Sequence, residues 1–214
     1  MRRFTEAGLY LVTSQALSGG RTTAAIMRAA LAGGVRQIQL REKDMPIRAF
    51  LDLAAEARRL TAAAGALLIV NDRIDVALAV GADGVHLGQD DFPIAEARKI
   101  APELIIGAST HSAAQAAVAE AAGASYVNIG PLFPTGTKAW SGEFLGLDGL
   151  KRIAPTVSIP FTVMGGIKRE HIPGLVDAGA RTIALVTAVT MAADPEAAAR
   201  DLLADIFGAI GKRR

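Results

Sequence analysis

Eight short apolar segments rich in β-branched residues alternate with Ala-rich runs of helical period, and glycine punctuates the joins. Together these features predict an α/β fold, a (β/α)8 barrel in a single domain. The strand candidates are 9–13, 37–41, 67–72, 84–88, 105–109, 126–131, 161–165 and 182–187. Most are continuously apolar rather than alternating, as strands covered on both faces are. Between them the helical runs are 22–32, 47–64, 74–80, 94–100, 112–122, 147–153, 171–178 and 195–207. The second is the clearest: Phe50, Leu51, Leu53, Ala54, Ala57 and Leu60 form one stripe against Glu56, Arg58 and Arg59.

Five helical runs end alike, at Gly33-Gly34, Gly65, Gly81, Gly123 and Gly179, each just before a strand. Glycine accepts the left-handed conformation that closes a helix, so these are C-terminal caps. Eight units in 214 residues allow about 27 each, enough for a small barrel. An open doubly wound sheet is the runner-up. No Gly-x-Gly-x-x-Gly follows the first strand and no Gly-Lys-Ser/Thr occurs, which argues against dinucleotide and P-loop folds. No composition break divides the chain, so residues 1–214 read as one domain with basic tails at 1–3 and 212–214.

Composition narrows the class. The chain is 51% hydrophobic, enough for a large core, and has no cysteine, hence no disulfide, thiolate metal site or cysteine nucleophile. No run approaches the roughly 20 apolar residues of a membrane span. The early stretch Leu9–Val12 is too short for a secretory signal core, so the reading is a cytoplasmic protein with no membrane partner. The net charge of +2 comes from Arg2, Arg3, Lys212, Arg213 and Arg214 at the ends; without those five it is −3. With 5% aromatics and no internal basic face, nucleic acid is not an expected partner.

In a parallel barrel, chemistry collects at the C-terminal ends of the strands. That edge is polar here: Gln39 to Lys43, Asn71-Asp72, Gln89 to Asp91, Ser109 to His111, Thr135 to Lys138, Gly165-Gly166 and Thr187. Arg41, Lys43 and Lys138 supply cations, and Asp72 and Asp91 supply carboxylates from neighbouring strands. Asn71, Ser109, Thr135 and Thr137 add neutral hydrogen bonds. Cations with a carboxylate pair point to a phosphorylated small molecule held with Mg2+, which takes one or two carboxylates plus phosphate oxygens and water. Gly165-Gly166, read as opening the seventh helix, would let backbone N–H groups reach a phosphate. No acid/base pair or activated nucleophile stands out, so the edge is suited to stabilising charge on a leaving group.

Five ordered motifs carry a resemblance. Gln39-Leu40-Arg41-Glu42-Lys43, Val70-Asn71-Asp72-Arg73, the Gly84–Asp91 run, Gly107–His111 and the Gly130–Lys138 run resemble those of the thiamine-phosphate synthase family, over roughly residues 9–208. The resemblance implies a (β/α)8 barrel that condenses a hydroxymethylpyrimidine diphosphate with a thiazole phosphate, releasing diphosphate through a carbocation. It implies that Gln39, Leu40, Arg41, Glu42, Lys43, Asn71, Ser109 and Lys138 hold the pyrimidine diphosphate, with Arg41, Lys43, Lys138 and Ser109 assisting catalysis. It gives Mg2+ to Asp72 and Asp91. It gives the thiazole phosphate to Thr135, Gly136, Thr137, Gly166 and the Val186-Thr187 backbone. The chain departs from the family pattern at Ala139–Phe144, at Lys168–His171 and at Thr187, all beside the thiazole side.

Each assignment has a plainer competitor. Asp72 or Asp91 alone could cap a helix; their pairing after adjacent strands favours metal. Lys138 alone could be a solvated loop lysine. His86 reads as a core residue, His171 as a surface one, and Arg73 as a structural ion-pair partner. His111 either shapes the site or begins a helix, and Trp140 either covers the site or packs its loop. Two rival functions remain: a thiazole tautomerase on the same barrel, with His111 as proton shuttle, and a non-catalytic phosphate-ligand binding protein. Self-association is left open by the sequence.

Overall fold

The computed structural model describes residues 1–137 and 140–212. Its strands are β1 (Leu9–Val12), β2 (Gln37–Leu40), β3 (Leu67–Asn71), β4 (Gly84–Leu87), β5 (Ile105–Thr110), β6 (Tyr126–Ile129), β7 (Phe161–Val163) and β8 (Thr182–Leu185). All run parallel in sequence order, and β8 pairs with β1 to close the barrel. Leu11 stands beside Ile38, Val70 beside Val85, and Leu9 beside Ile183. Around them lie α1 (Arg2–Thr5), α2 (Thr23–Ala32), α3 (Ile47–Ala63), α4 (Ile74–Val80), α5 (Ile94–Ile100), α6 (Ala113–Ala121), α7 (Gly146–Ile153), α8 (Ile172–Asp177), α9 (Thr187–Thr190) and α10 (Pro195–Gly211).

The strand period of two sorts the side chains into two cores. Outward residues such as Ile38, Leu40, Leu68, Val70, Val85 and Leu87 pack against the helices. Inward ones, among them Tyr10, Val12, Leu67, Ile69, Tyr126 and Ala184, fill the barrel. The interior is less apolar than the strand sequences imply. Gln37, Gln39, His86, Asn128 and Thr162 also face inward and are buried, and Asn128 Nδ2 donates to Thr162 Oγ1 at 2.8 Å. Gly81, at φ 63° and ψ 43°, closes α4 in the left-handed conformation that its position before β4 demands. Thr22, Ser112 and Asp194 cap α2, α6 and α10 through side-chain oxygens.

Several expected boundaries shift. Thr13, Arg41, Asp72 and Gly88 fall just beyond their strands, where they leave the ladder and open the loops. The last helix runs on to Gly211, and the run read as the end of the eighth strand breaks after Leu185, Thr187 starting α9. Residues 1–3 are not a simple tail. Arg2 and Arg3 sit on α1 because Phe4 anchors it: the Phe4 ring is 1% exposed and closes the N-terminal end of the barrel against Tyr10 and Tyr126, at centroid distances of 6.0 and 4.2 Å. Arg2 pairs with Glu6 at 3.0 Å, and Arg3 donates to the Gly65 carbonyl at 2.5 Å. At the other end Lys212 follows α10, and Arg213 and Arg214 lie outside the described residues.

Truncating this plug removes a fully buried aromatic ring. Phe4→Ala is expected to cost about 3 kcal/mol. Urea unfolding checks it: the midpoint should fall while the slope is unchanged, and a wild-type midpoint would return α1 to the status of a tail.

Candidate active site

The C-terminal ends of the strands surround one cavity. β2 ends at its wall and delivers Gln39 inward, then Arg41 and Lys43 from the loop that follows. The Arg41 backbone N–H donates to Thr13 Oγ1 at 2.9 Å, tying that loop to the end of β1. No carboxylate lies within ion-pair distance of the Arg41 guanidinium among the described residues, so its charge is available to a ligand.

β3 and β4 contribute the acids. Asp72 is the one non-glycine residue with positive φ, 61°, among those described. Such a conformation costs on the order of 1 kcal/mol and is held by its surroundings: the Asp72 N–H donates to the His86 carbonyl at 2.8 Å. It turns the Asp72 carboxyl towards Lys43, 3.4 Å away, and towards Asp91. Asp91 is aimed by a tight turn in which its Oδ2 accepts from the Gly88 N–H at 2.7 Å. A side chain at Gly88 would collide with that oxygen, at 2.7 Å from an added Cβ. Partial burial and the Asp91 carboxyl beside it raise the Asp72 pKa above its ordinary 3.8, and Lys43 opposes them. Neither acid caps a helix: Arg73 occupies that position in α4 and Pro93 in α5, and the Arg73 guanidinium pairs with Asp75 through 2.9 and 2.5 Å contacts.

The far wall is built by β5 to β8. Ser109 hydrogen-bonds His86 Nε2 at 2.9 Å, and Gln89 Nε2 donates to the Ser109 carbonyl at 2.5 Å. Thr135 and Thr137 line the cavity and share a 3.2 Å hydroxyl contact. Gly165 and Gly166 do not open a helix; α8 begins only at Ile172, after a single 3-10 turn. Both have positive φ, and they admit the loop after β6: a Cβ at Gly166 would lie 2.3 Å from the Pro134 carbonyl oxygen. The first turn of α9 brings Val186, Thr187 and Ala188 to the rim.

Gln39, Arg41, Lys43, Asn71, Asp72, Asp91, Ser109, Thr135, Thr137, Gly166, Val186 and Thr187 therefore meet at one cavity. Three other sequence candidates do not line it. The Leu40 side chain is fully buried on the outer face, as alternation from Gln39 requires. Glu42 is turned aside to accept from Thr13 Oγ1 at 2.9 Å, Thr23 Oγ1 at 2.7 Å and the Gln15 N–H at 2.8 Å, which makes it a brace for the first loop. Gly136 is exposed at the loop tip. Lys138 and Ala139 lie outside the described residues.

The cavity also holds residues that no motif singled out, notably Asn128 and Met164. Both have the inward parity of their strands, a signal readable once the strand phase is known. His86 and His111 line it too. Burial drags His86 down to about 4, Asp91 pulling weakly the other way, so its imidazole is neutral. His111 packs beside Trp140 at 4.6 Å between centroids, with its Nδ1 2.5 Å from the Gly130 carbonyl oxygen. Trp140 lines the cavity and also donates to the Glu143 carbonyl at 3.1 Å. His171 stacks on Phe133 at 3.8 Å outside it.

Fold and site define a class: a (β/α)8 barrel enzyme whose mouth sets cations and a carboxylate pair around a small-molecule cavity. The family model described as thiamine monophosphate synthase matches residues 9–189. The chain is 48% identical over 197 residues to a putative thiamine-phosphate synthase of Geobacter sulfurreducens, covering 92% of each protein. It is 46% identical to the thiamine-phosphate synthase of Moorella thermoacetica, covering 95% of this chain and 98% of that one. A thiamine phosphate pyrophosphorylase structure from Pyrococcus furiosus superposes with a TM-score of 0.90 at 38% identity, covering 99% of this chain and 100% of that one. The chain belongs to the thiamine monophosphate synthase family. Among the described residues no helix is long and apolar enough to cross a membrane.

The raised Asp72 pKa has a sign that can be tested in chelator-treated protein. A carboxyl whose folded pKa lies above its unfolded value contributes stability that is complete below about 3.8 and is lost as pH rises through the folded value. Asp72→Asn removes that loss and keeps a hydrogen-bonding group. It should therefore be more stable than wild type at pH 7, by about 0.5 kcal/mol, the size of a solvent-screened pair. The difference should vanish below pH 4. Thermal melting at both pH values decides it; equal melting at pH 7 would mean that burial and the Asp91 carboxyl do not together disfavour the Asp72 carboxylate.

Proposed function

We propose that this barrel condenses 4-amino-5-hydroxymethyl-2-methylpyrimidine diphosphate with 4-methyl-5-(2-phosphoethyl)thiazole, giving thiamine phosphate and diphosphate. The observation that carries this reading is the convergence of Arg41, Lys43, Ser109 and the Asp72–Asp91 pair on one cavity. Family membership supports it.

The donor set fits a hard divalent cation. Two oxygen-bearing side chains lie together, one of them raised by its neighbour, and among the described residues no cluster of three or more His, Asp or Glu forms an all-protein cage. That is the ligand set of Mg2+, which is held by one or two carboxylates with water and phosphate oxygens. Asp72 and Asp91 are the residues that would hold it. When bound, it would neutralise charge on the diphosphate oxygens.

The chain's own residues do the rest. Arg41 and Lys43 face the negative charge that grows on the departing diphosphate, the Asn71 amide and Ser109 hydroxyl add hydrogen bonds, and Lys138 is assigned a third cation's role by the family resemblance alone. Such contacts accelerate the reaction because they strengthen as charge develops. The carbon–oxygen bond breaks with its electron pair leaving on the diphosphate. The aminopyrimidine delocalises the positive charge left on the methylene, and the thiazole nitrogen closes the new bond with its lone pair. No proton is transferred, so a neutral buried His86 and a site without a paired base suit the reaction. Thr135, Thr137, Gly166 and the backbone at Val186-Thr187 would hold the thiazole phosphate, next to the short helix that follows the last strand in many such barrels.

The direct assay is thiamine phosphate formation from the two substrates with Mg2+. Asp91→Ala should lower kcat at least a hundredfold with little change in melting, and Lys138→Ala should cost about 2–4 kcal/mol in kcat. Full activity in excess chelator would remove the metal assignment, and a wild-type kcat for Lys138→Ala at saturating substrate would remove that of the lysine.

The tautomerase reading turns on His111, which lines the cavity beside Trp140. A tautomerase must move a carbon-bound proton and the condensation need not. His111→Asn should therefore lower condensation at most about tenfold, against the hundredfold or more of a lost general acid–base. Wild-type protein that isomerises the thiazole precursor without ever condensing it, through an activity abolished by His111→Asn, would replace the synthase reading.

A further inference from the structure

A line of buried hydrogen bonds runs from one wall of the cavity through the barrel and back to the opposite wall. Gln39 Nε2 donates to Tyr10 Oη at 2.9 Å. Tyr10 Oη lies 3.0 Å from Tyr126 Oη, and Tyr126 Oη lies 2.9 Å from His86 Nδ1. His86 Nε2 reaches Ser109 Oγ at 2.9 Å. The two tyrosines are fully buried and His86 is 3% exposed. Gly107 makes the line feasible: an added Cβ there would sit 2.1 Å from the Tyr126 ring carbon that bears the hydroxyl. The glycine two residues before Ser109 thus leaves room for the tyrosine that orders the partner of Ser109.

Hydrogen bookkeeping narrows the line to two directions. Burial raises both tyrosines far above their ordinary range, so each remains an O–H group. Tyr10 Oη can accept from Tyr126 as well, which would reverse the line; in the direction that carries the Gln39 donation onward, the Tyr10 hydrogen lies towards Tyr126 and the Tyr126 hydrogen towards His86 Nδ1. A neutral imidazole then carries its own hydrogen on Nε2 and donates it to Ser109 Oγ. With one lone pair of Ser109 occupied, its hydroxyl hydrogen is free to turn outward.

We infer that His86 is a positioning residue: through Tyr126 behind it and Ser109 in front, it presents the serine hydroxyl to the cavity as a hydrogen-bond donor to anionic substrate oxygens. The inference rests on the assignment of Ser109 to the substrate made above. A serine free to rotate can point its hydrogen into the wall or at the ligand; the relay removes the first orientation. The gain lies in orientation before binding, which shows in the rate more than in stability.

Kinetics of single and double variants separate this role from simple packing. Ser109→Ala should lower kcat about tenfold, the size of a lost hydrogen bond to a charged group. His86→Leu should approach the same loss, and the double variant should be no slower than Ser109→Ala, because the histidine acts only through the serine. His86→Gln, which can again donate from its amide nitrogen, should recover part of the rate. Tyr126→Phe, which removes one oxygen, should lower kcat about threefold on its own and nothing further in the His86→Leu background. The KM for the thiazole phosphate should not move in any of them. Nitrogen NMR of the wild-type imidazole should show the hydrogen on Nε2 and none on Nδ1.

Losses at His86 and Ser109 that multiply would overturn the relay, as would the opposite tautomer. Should His86→Leu fail to fold, Tyr126→Phe decides the matter, and a wild-type kcat for that variant refutes the relay. A wild-type kcat for Ser109→Ala would instead overturn the assignment of Ser109 to the substrate, and the inference with it. A tenfold loss there with unaffected His86 variants refutes the relay alone.

Discussion

Ladder hydrogen bonds between β8 and β1 leave the sheet without an edge, and this closure brings eight loops to a single mouth. Within that mouth Lys43, 29 residues before Asp72 in the chain, stands 3.4 Å from it because β2 and β3 are paired neighbours. Closure also turns half of every strand inward, into the packed interior of the barrel. Among the polar residues placed there, Asn128 and Thr162 satisfy one another. The helix-facing half carries the apolar core that stabilises the barrel, so the inward half is left free to vary its chemistry with depth. At the bottom it is aromatic, sealed by Phe4; near the top it becomes amide, imidazole and hydroxyl.

The mouth holds together groups that would not choose each other's company. Asp72 and Asp91 oppose one another, and Asp72 adopts a left-handed backbone conformation to do so. The hydrogen bond from its N–H to the His86 carbonyl and the ion pair with Lys43 retain that arrangement. Two carboxyls that oppose one another mark a place where a bound positive charge would relieve the repulsion. The cations beside it answer the complementary need, since an anion bound alone would meet the same carboxylates. A ligand that brings negative charge together with a divalent cation satisfies both halves of the mouth at once.

Much of this was legible in the sequence because a parallel barrel writes its chemistry just after its strands. Asp72, Asp91 and Ser109 follow or end runs whose apolar character already marks them as strands, and α4 and α5 begin and end where their periodicity does. Contiguous motifs mislead at the level of single residues. In the run from Gln39 to Lys43, alternation sends Leu40 outward, and Thr13 and Thr23 capture Glu42. Their contribution is to the frame, and only contacts with β1 and α2 reveal it. Phe4 was missed for a related reason: four residues carry no helical period, and α1 exists because a distant pair of tyrosines offers its ring a socket. The break before α9 likewise follows from packing at the barrel rim, since its residues continue the apolar run of β8.

The interior and the mouth then answer different demands of one reaction. Under the proposed condensation, bond breaking runs ahead of bond making, so the protein has no proton to shuttle and much charge to place. A base at the cavity wall would be idle, and a mobile dipole would have to reorganise as the diphosphate leaves. A neutral imidazole pinned between a tyrosine and a serine avoids both. Its low pKa follows from burial, so the depth that rules out acid–base work at His86 also fixes its place between Tyr126 and Ser109. The barrel thus supplies fixed dipoles from within and full charges from its loops, a division that lets the loops change with substrate while the interior stays as it is.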